Sequence, residues 1–258
     1  PNRTDVFFIN RLFYQQVFDT LILQNNQGEV DPILAESWEW NDDKTEITFT
    51  LRDDVTFHSG RAFTAADVIA NLENNLNPDT GSKLRSSLAV IDNMTAEGDH
   101  TLVLKLKSFD PALFDTLGMM YIIDPEVMGE DNQMAGTGPF MFVEWIPGTR
   151  LVMERNPNYW DGDLPYLDEL VISVQPDKQT MVANLESGAI DLIKMTPRNE
   201  LDRLRELPDF KAEISPIGNF FYAIGFNVQH EILGNKLVRQ ALAYSMDRQR
   251  FVDAFLYG

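Results

Sequence analysis

Ile47-Thr-Phe-Thr-Leu51 alternates apolar and hydroxyl side chains directly after the turn sequence Asn41-Asp-Asp-Lys44, and this period of two marks a hairpin strand with one face in a core. Downstream, Thr64-Ala-Ala-Asp67 opens a helix. The Thr64 hydroxyl is placed to accept a first-turn amide, and Asp67 complements the positive end of the helix dipole. Val68, Ile69, Leu72 and Leu76 supply the buried face, and Pro78 ends the helix. A second alternating pair, Val90 to Ala96 and Leu102 to Leu106, flanks Glu97-Gly-Asp-His100 and predicts another hairpin. Pro111 reads as the first residue of a short helix. Phe140 and Phe142, then Leu151 and Met153, flank Ile146-Pro-Gly-Thr149 as a third hairpin. Upstream, Phe13, Val17, Phe18 and Leu21 recur at helical spacing, and Thr20 to Gln24 runs as a strand into the turn Asn25-Asn-Gln-Gly28.

After the third hairpin the pattern changes to strands alternating with helices. Leu170 to Val174 reads as a strand, Asp177 to Ser187 as a helix capped by Gly188, and Ile190 to Ile193 as a short strand. Glu200 to Leu207 is a helix stopped by Pro208, Phe220 to Phe226 a strand buried on both faces, and Asn235 to Met246 a further helix. A hairpin-rich centre between α/β outer parts predicts an α/β fold with an inserted lobe.

Composition limits the function. The 258 residues carry 21 Lys and Arg against 40 Asp and Glu, a net charge of −19, which repels phosphate backbones and makes nucleic acid and anionic membrane surfaces poor candidate partners. A 44% apolar content with 17 Phe supplies a core, so disorder is excluded. With no Cys, disulfides, thiolate metal sites and cysteine nucleophiles are excluded. No apolar stretch approaches the ~18 residues of a membrane helix. Pro1 stands without a leader pattern after it, and the apolar face of Phe251, Val252, Phe255 and Leu256 runs straight to Gly258, which reads as a processed start and a truncated end.

Catalytic patterns are scarce. Gly136-Thr-Gly138 has dinucleotide-loop spacing, but Pro139 follows and Met141 holds the place of the third glycine. There is no Gly-x-Ser-x-Gly, and His58, His100 and His230 form no metal pair. His58 reads as a turn anchor and Asp161-Gly-Asp163 as a turn, not a calcium loop. Carboxylates are abundant enough that a glycosidase-like pair is expected by chance. Met119-Met120-Tyr121 and Phe220-Phe221-Tyr222 gather large, adaptable side chains next to loops, as ligand clefts and plain cores both do.

The order of segments resembles the family 5 solute-binding proteins of ABC importers, which include dipeptide, oligopeptide and nickel binders. The likeness is densest in Leu34-Ala-Glu-Ser-Trp-Glu-Trp40, Ile47-Thr-Phe-Thr-Leu-Arg52, Val55-Thr-Phe-His-Ser-Gly60 and Phe63-Thr-Ala-Ala-Asp-Val68. It continues through Gly136-Thr-Gly-Pro-Phe140, Val143-Glu-Trp145, Asn156-Pro-Asn-Tyr-Trp160, Pro165-Tyr-Leu-Asp168, Leu185-Glu-Ser-Gly-Ala-Ile-Asp191, Gly225-Phe-Asn227 and Val238-Arg-Gln-Ala-Leu242.

The resemblance implies an α/β clamshell of the periplasmic-binding-protein type II kind. Residues 1 to 38 and 137 to 258 would form a discontinuous, incomplete first lobe, and 39 to 136 an inserted β-rich subdomain. The second lobe would be missing and only the N-terminal half of a binding protein present. The implied function is capture without catalysis of a small ligand, a di- or oligopeptide before others, for a membrane permease. The implied setting is periplasmic or extracellular, with the protein a monomer held at the membrane through the permease or a lipid anchor, without cofactor or metal. Ligand-facing positions by this likeness are Tyr14, Gln15, Met119, Met120, Thr137, Gly138, Tyr222 and Asn227. The alternative for each is a buried residue at a sheet end. A sensor or chaperone of the same fold, or a carboxylate hydrolase, are the competing functions.

Overall fold

The computed structural model describes residues 13–25, 28–128, 134–213 and 224–256. Two compact units, Pro1–Val174 and Gln175–Gly258, divide the chain.

In the first unit a helix, α1 (residues 13–17), leads into a two-stranded antiparallel ladder of β1 (Ile22–Gln24) and β2 (Val30–Pro32). A four-stranded antiparallel sheet follows, built from β3 (Ala35–Trp40), β4 (Glu46–Leu51), β5 (Ile91–Ala96) and β6 (Thr101–Leu106) in the order β3-β4-β6-β5. The alternation in β4 fixes its register, because Ile47, Phe49 and Leu51 are buried on one face and a slip by one residue would turn all three to water. Helix α2 (Ala65–Leu76) packs Val68 and Leu72 into the core of this sheet with Leu88 of the short α3 (Arg85–Leu88) and Leu113 and Leu117 of α4 (Leu113–Leu117). At the start of α2 the Asp67 carboxylate accepts from the Thr64 amide at 2.8 Å and from the Thr64 hydroxyl at 2.9 Å. The hydroxyl thus serves Asp67 as a donor.

The third hairpin forms as β7 (Phe140–Ile146) and β8 (Arg150–Arg155), turning through Gly148 at φ +72°. β9 (Glu169–Ser173) pairs with β8 antiparallel, so this part is a meander and not the start of a parallel layer. Phe140 and Met153 of this sheet close on Phe13, Val17 and Phe18 in a second core, which ties the sheet to the opening helix.

The second unit holds α5 (Lys178–Glu186), α6 (Arg198–Glu206), α7 (Lys236–Ser245) and α8 (Arg248–Phe251). Asp177 caps α5 by accepting from the Thr180 amide, and Arg203 joins α6 to α5 through Glu186 at 2.6 Å. The expected strand Ile190–Ile193 is not formed, because no described strand pairs with it and a strand without a ladder leaves its backbone groups unspent. Of the expected strand Phe220–Phe226, residues 220–223 lie outside the described residues, and the remainder is irregular.

Within the first unit β7 to β9 bury their apolar face against α1, and the chain beyond Val174 forms the second unit. No helix among the described residues is long and apolar enough to cross a membrane.

Candidate ligand-binding site

Asn71 lies one turn inside α2 and is 1% exposed. Its amide donates to the Ile123 carbonyl at 2.8 Å and to the Asp67 carbonyl at 2.9 Å, and its side-chain oxygen accepts from the Ile123 amide at 3.0 Å. A side chain here replaces a neighbouring strand, and it pins residues 119–124 alongside the helix. From the other side Thr20 bridges to Tyr121, and the Ile122 amide donates to the Asp19 carbonyl at 2.9 Å.

Held in this way, Tyr121 meets Tyr14 and Phe18, with ring centroids 5.6 and 6.4 Å away, and Tyr14 and Phe18 are themselves 5.9 Å apart. Between this aromatic group and α2 opens a cavity of about 360 Å³, lined also by Asn74, Asn75, Leu84, Met119, Met120, Val127, Met128 and Met134. Four thioethers give a wall that is polarisable and conformationally adaptable. The Asn75 amide donates to the Asn71 carbonyl and the Asn75 side-chain oxygen accepts from the Ser82 hydroxyl, whereas the Asn74 side chain has no partner among the described residues. Among the described residues its lining contains no Asp, Glu, His, Lys, Ser or Cys.

The structure brings together three of the positions named from the sequence, Tyr14, Met119 and Met120. Met120 is 1% exposed and forms wall, and Met119 is 48% exposed and forms rim. Gln15 is exposed on α1 and does not line the cavity. Asn227 lies exposed in the second unit, its side-chain oxygen accepting from the Gln229 amide at 3.0 Å. Tyr222 lies outside the described residues.

Thr137 and Gly138 belong to a different cluster. Thr137 is fully buried and its hydroxyl donates to Asp19 at 3.0 Å, where the Trp160 indole also donates at 3.0 Å. Burial raises the Asp19 pKa above the usual carboxylate value, and the donors from Trp160 and Thr137 offset only part of that rise. Gly138 crosses the backbone of Gln16 and Val17. Its amide donates to the Val17 carbonyl at 3.0 Å, and its own carbonyl accepts from Asn156 at 3.0 Å and from His58 at 2.9 Å. The Gly136 amide donates to Nδ1 of His58, which makes Nε2 the protonated nitrogen, and burial holds the His58 pKa below its ordinary value. The turn-anchoring role read for His58 is the one it has.

A further charged cluster gave no local sequence signal. Asp124, fully buried, accepts from Arg61 at 2.6 Å, from Ser59 at 2.7 Å and from the Glu126 amide at 3.1 Å, and Arg61 also pairs with Asp67 at 2.9 Å. Burial raises the Asp124 pKa, but those hydrogen bonds outweigh it and leave the group below the usual value.

The order of strands and helices is similar to that of solved proteins of the type II periplasmic-binding-protein fold. The oligopeptide-binding protein AppA of Bacillus subtilis, solved with a nonapeptide, aligns with 92% of this chain at a TM-score of 0.82 and 25% identity, over 49% of its own chain. NikA of Brucella suis, solved with Fe(III)-EDTA, aligns with 95% at 0.79 and 26% identity, over 52% of its own. The chain belongs to the bacterial extracellular solute-binding proteins, family 5, whose model matches residues 29–258. Heme-binding protein A of Haemophilus influenzae is 30% identical over 95% of this chain and 50% of its own length. The likeness thus runs through nearly the whole chain, and the fold it follows is the bilobed type II one. The expected restriction to an N-terminal half wanting one lobe is corrected by these matches. The chain spans about half the length of the relatives it matches.

Proposed function

We propose that the protein is the solute-binding component of an ABC importer, working outside the cytoplasmic membrane, and that it captures a di- or oligopeptide for delivery to a membrane permease. The observation that carries this reading is the cavity of about 360 Å³ whose described lining has four Met, two Tyr and the amide of Asn74. Peptides differ in side chain and share a backbone. Thioether walls repack around different side chains, and an amide can both donate to and accept from a peptide group. Closure around the ligand would produce the form that a permease distinguishes from the empty one.

The test is calorimetric titration with di-, tri- and longer peptides, and in parallel with nickel–histidine and heme, accompanied by mass spectrometry of any ligand that copurifies. Saturable peptide binding that weakens in Met119→Ala and Tyr14→Ala supports the proposal. Saturable binding of nickel–histidine or heme with none for peptide, or release of a cleaved product, would overturn it.

A further inference from the structure

A second cavity, of about 450 Å³, lies where α2 ends and β5 begins, and Arg85, Lys107, Ser82 and Ser86 line it. It is a basic place on a chain whose net charge is −19. No Asp or Glu is in its lining, and neither Arg85 nor Lys107 is in an ion pair among the described residues. On an acidic surface two neighbouring unpaired cations repel each other, and a chain with 40 carboxylates has ample means to neutralise them.

Both cations are also held in place. Arg85 Nε donates to the Leu76 carbonyl at 3.0 Å, and Lys107 Nζ donates to the Ala89 carbonyl at 2.8 Å. One contact each fixes the side chains and leaves the terminal guanidinium nitrogens and the remaining ammonium hydrogens unspent. The Ser86 hydroxyl has no partner among the described residues. Leu76, Ala89 and Ile91 complete the lining with an apolar floor.

Fixed donors carrying positive charge beside a free hydroxyl match the oxygens of a phosphate group, for which Arg offers a fork and Lys a point charge. The volume exceeds that of one inorganic anion, and the apolar floor leaves room for a short carbon skeleton. We propose that this cavity binds a small organic phosphate through Arg85, Lys107 and Ser86. The site is separate from the cavity given the transport ligand and does not depend on that reading.

The experiment is calorimetric titration of the 258-residue chain with inorganic phosphate and with glycerol 3-phosphate at constant ionic strength, and sedimentation with phosphatidylglycerol vesicles as a separate arm. Saturable binding of glycerol 3-phosphate, tighter than that of inorganic phosphate, is expected. Arg85→Ala and Lys107→Ala should each weaken it about tenfold, the scale of one lost charge-assisted contact. Ser86→Asp, an exposed change that adds a carboxylate and leaves the fold's contacts alone, should abolish it. Lys105→Ala, at an exposed lysine already paired with Glu46, should leave it unchanged. Absence of saturable binding by the wild-type chain overturns the proposal, as does equal weakening by Lys105→Ala, which reports general charge. Binding to vesicles without binding to glycerol 3-phosphate overturns it too, since the phosphate would then be a lipid headgroup.

Discussion

Replacing Gly138 by Ala places a methyl carbon 2.6 Å from the Val17 carbonyl carbon, 2.7 Å from the Gln16 carbonyl oxygen and 2.8 Å from the Val17 oxygen. All three are backbone atoms, so no side chain can rotate away. Restoring ordinary contact at 3.4 Å requires about 0.8 Å of separation (3.4 − 2.6) between two chain segments. That would stretch the 3.0 Å hydrogen bond from the Gly138 amide to Val17 to about 3.8 Å, beyond hydrogen-bonding range. Overpacking of this sort costs about 1–3 kcal/mol and the lost bond about 1 kcal/mol more. The sum of about 2–4 kcal/mol lowers Tm by roughly 5–15 °C for a protein of this size. The Gly138 carbonyl is also held by His58 and Asn156, so the turn cannot relax on its far side. Scanning calorimetry measures the shift. Gly148→Ala serves as the comparison, because Gly148 has positive φ but nothing within 4 Å of the added carbon, and only the backbone preference of about 1 kcal/mol is at stake. A Gly138→Ala variant melting within about 2 °C of the wild type, or a larger loss at Gly148, would refute the chain-crossing explanation. If that variant instead kept its stability and lost ligand affinity, Gly138 would be a ligand contact.

Thr137→Val keeps the shape of Thr137 but removes a donor to buried Asp19, and about 1–3 kcal/mol should be lost in urea unfolding, with the Asp19 pKa rising further. His58 has a folded pKa below its unfolded value of 6.5, so the unfolded chain binds more protons between the two. Its contribution is therefore complete above about pH 6.5 and falls as pH drops through that window. Subtracting the stability profile of His58→Gln from that of wild type over pH 5–8 should show this slope, and a flat difference would contradict it. Met120→Ala, in the cavity wall at 1% exposure, should cost about 2–5 kcal/mol. Met119→Ala, at the rim, should change stability by under about 0.5 kcal/mol while weakening ligand binding, as read by paired melting and titration.

The hairpins were legible because each strand shows water and core to alternate residues. Ile47, Phe49 and Leu51 carry that signal locally, and so does the apolar face of α2. The meander of β9 was not legible, since a five-residue apolar alternation does not say which neighbour it will pair with. The strand expected at Ile190–Ile193 had apolar residues but no partner. At the site, Met119 and Met120 stand out as a cluster, whereas Asn71, Asn74 and Asn75 carry no local signal of their own. Asn71 is buried because it replaces a strand edge against Ile123, 52 residues away, a contact that no local window reveals. The same holds for Arg61 and Asp124, 63 residues apart, and for Asp19 with its donors.

Those separations bear on how the chain comes to be made. Asp19 meets Thr137 across 118 positions and Trp160 across 141. At roughly 5–20 residues per second on the ribosome, about 7–30 s pass between the synthesis of Asp19 and that of Trp160. Through that interval the carboxylate stays hydrated and ionised, and the hairpins of residues 35–106, whose contacts are short in sequence, are free to form first. The contacts across the long loop can form only afterwards, and they take Asp19 out of water as its donors arrive. Slowed translation before Trp160 would therefore leave the nascent first unit with formed hairpins and an unsealed end.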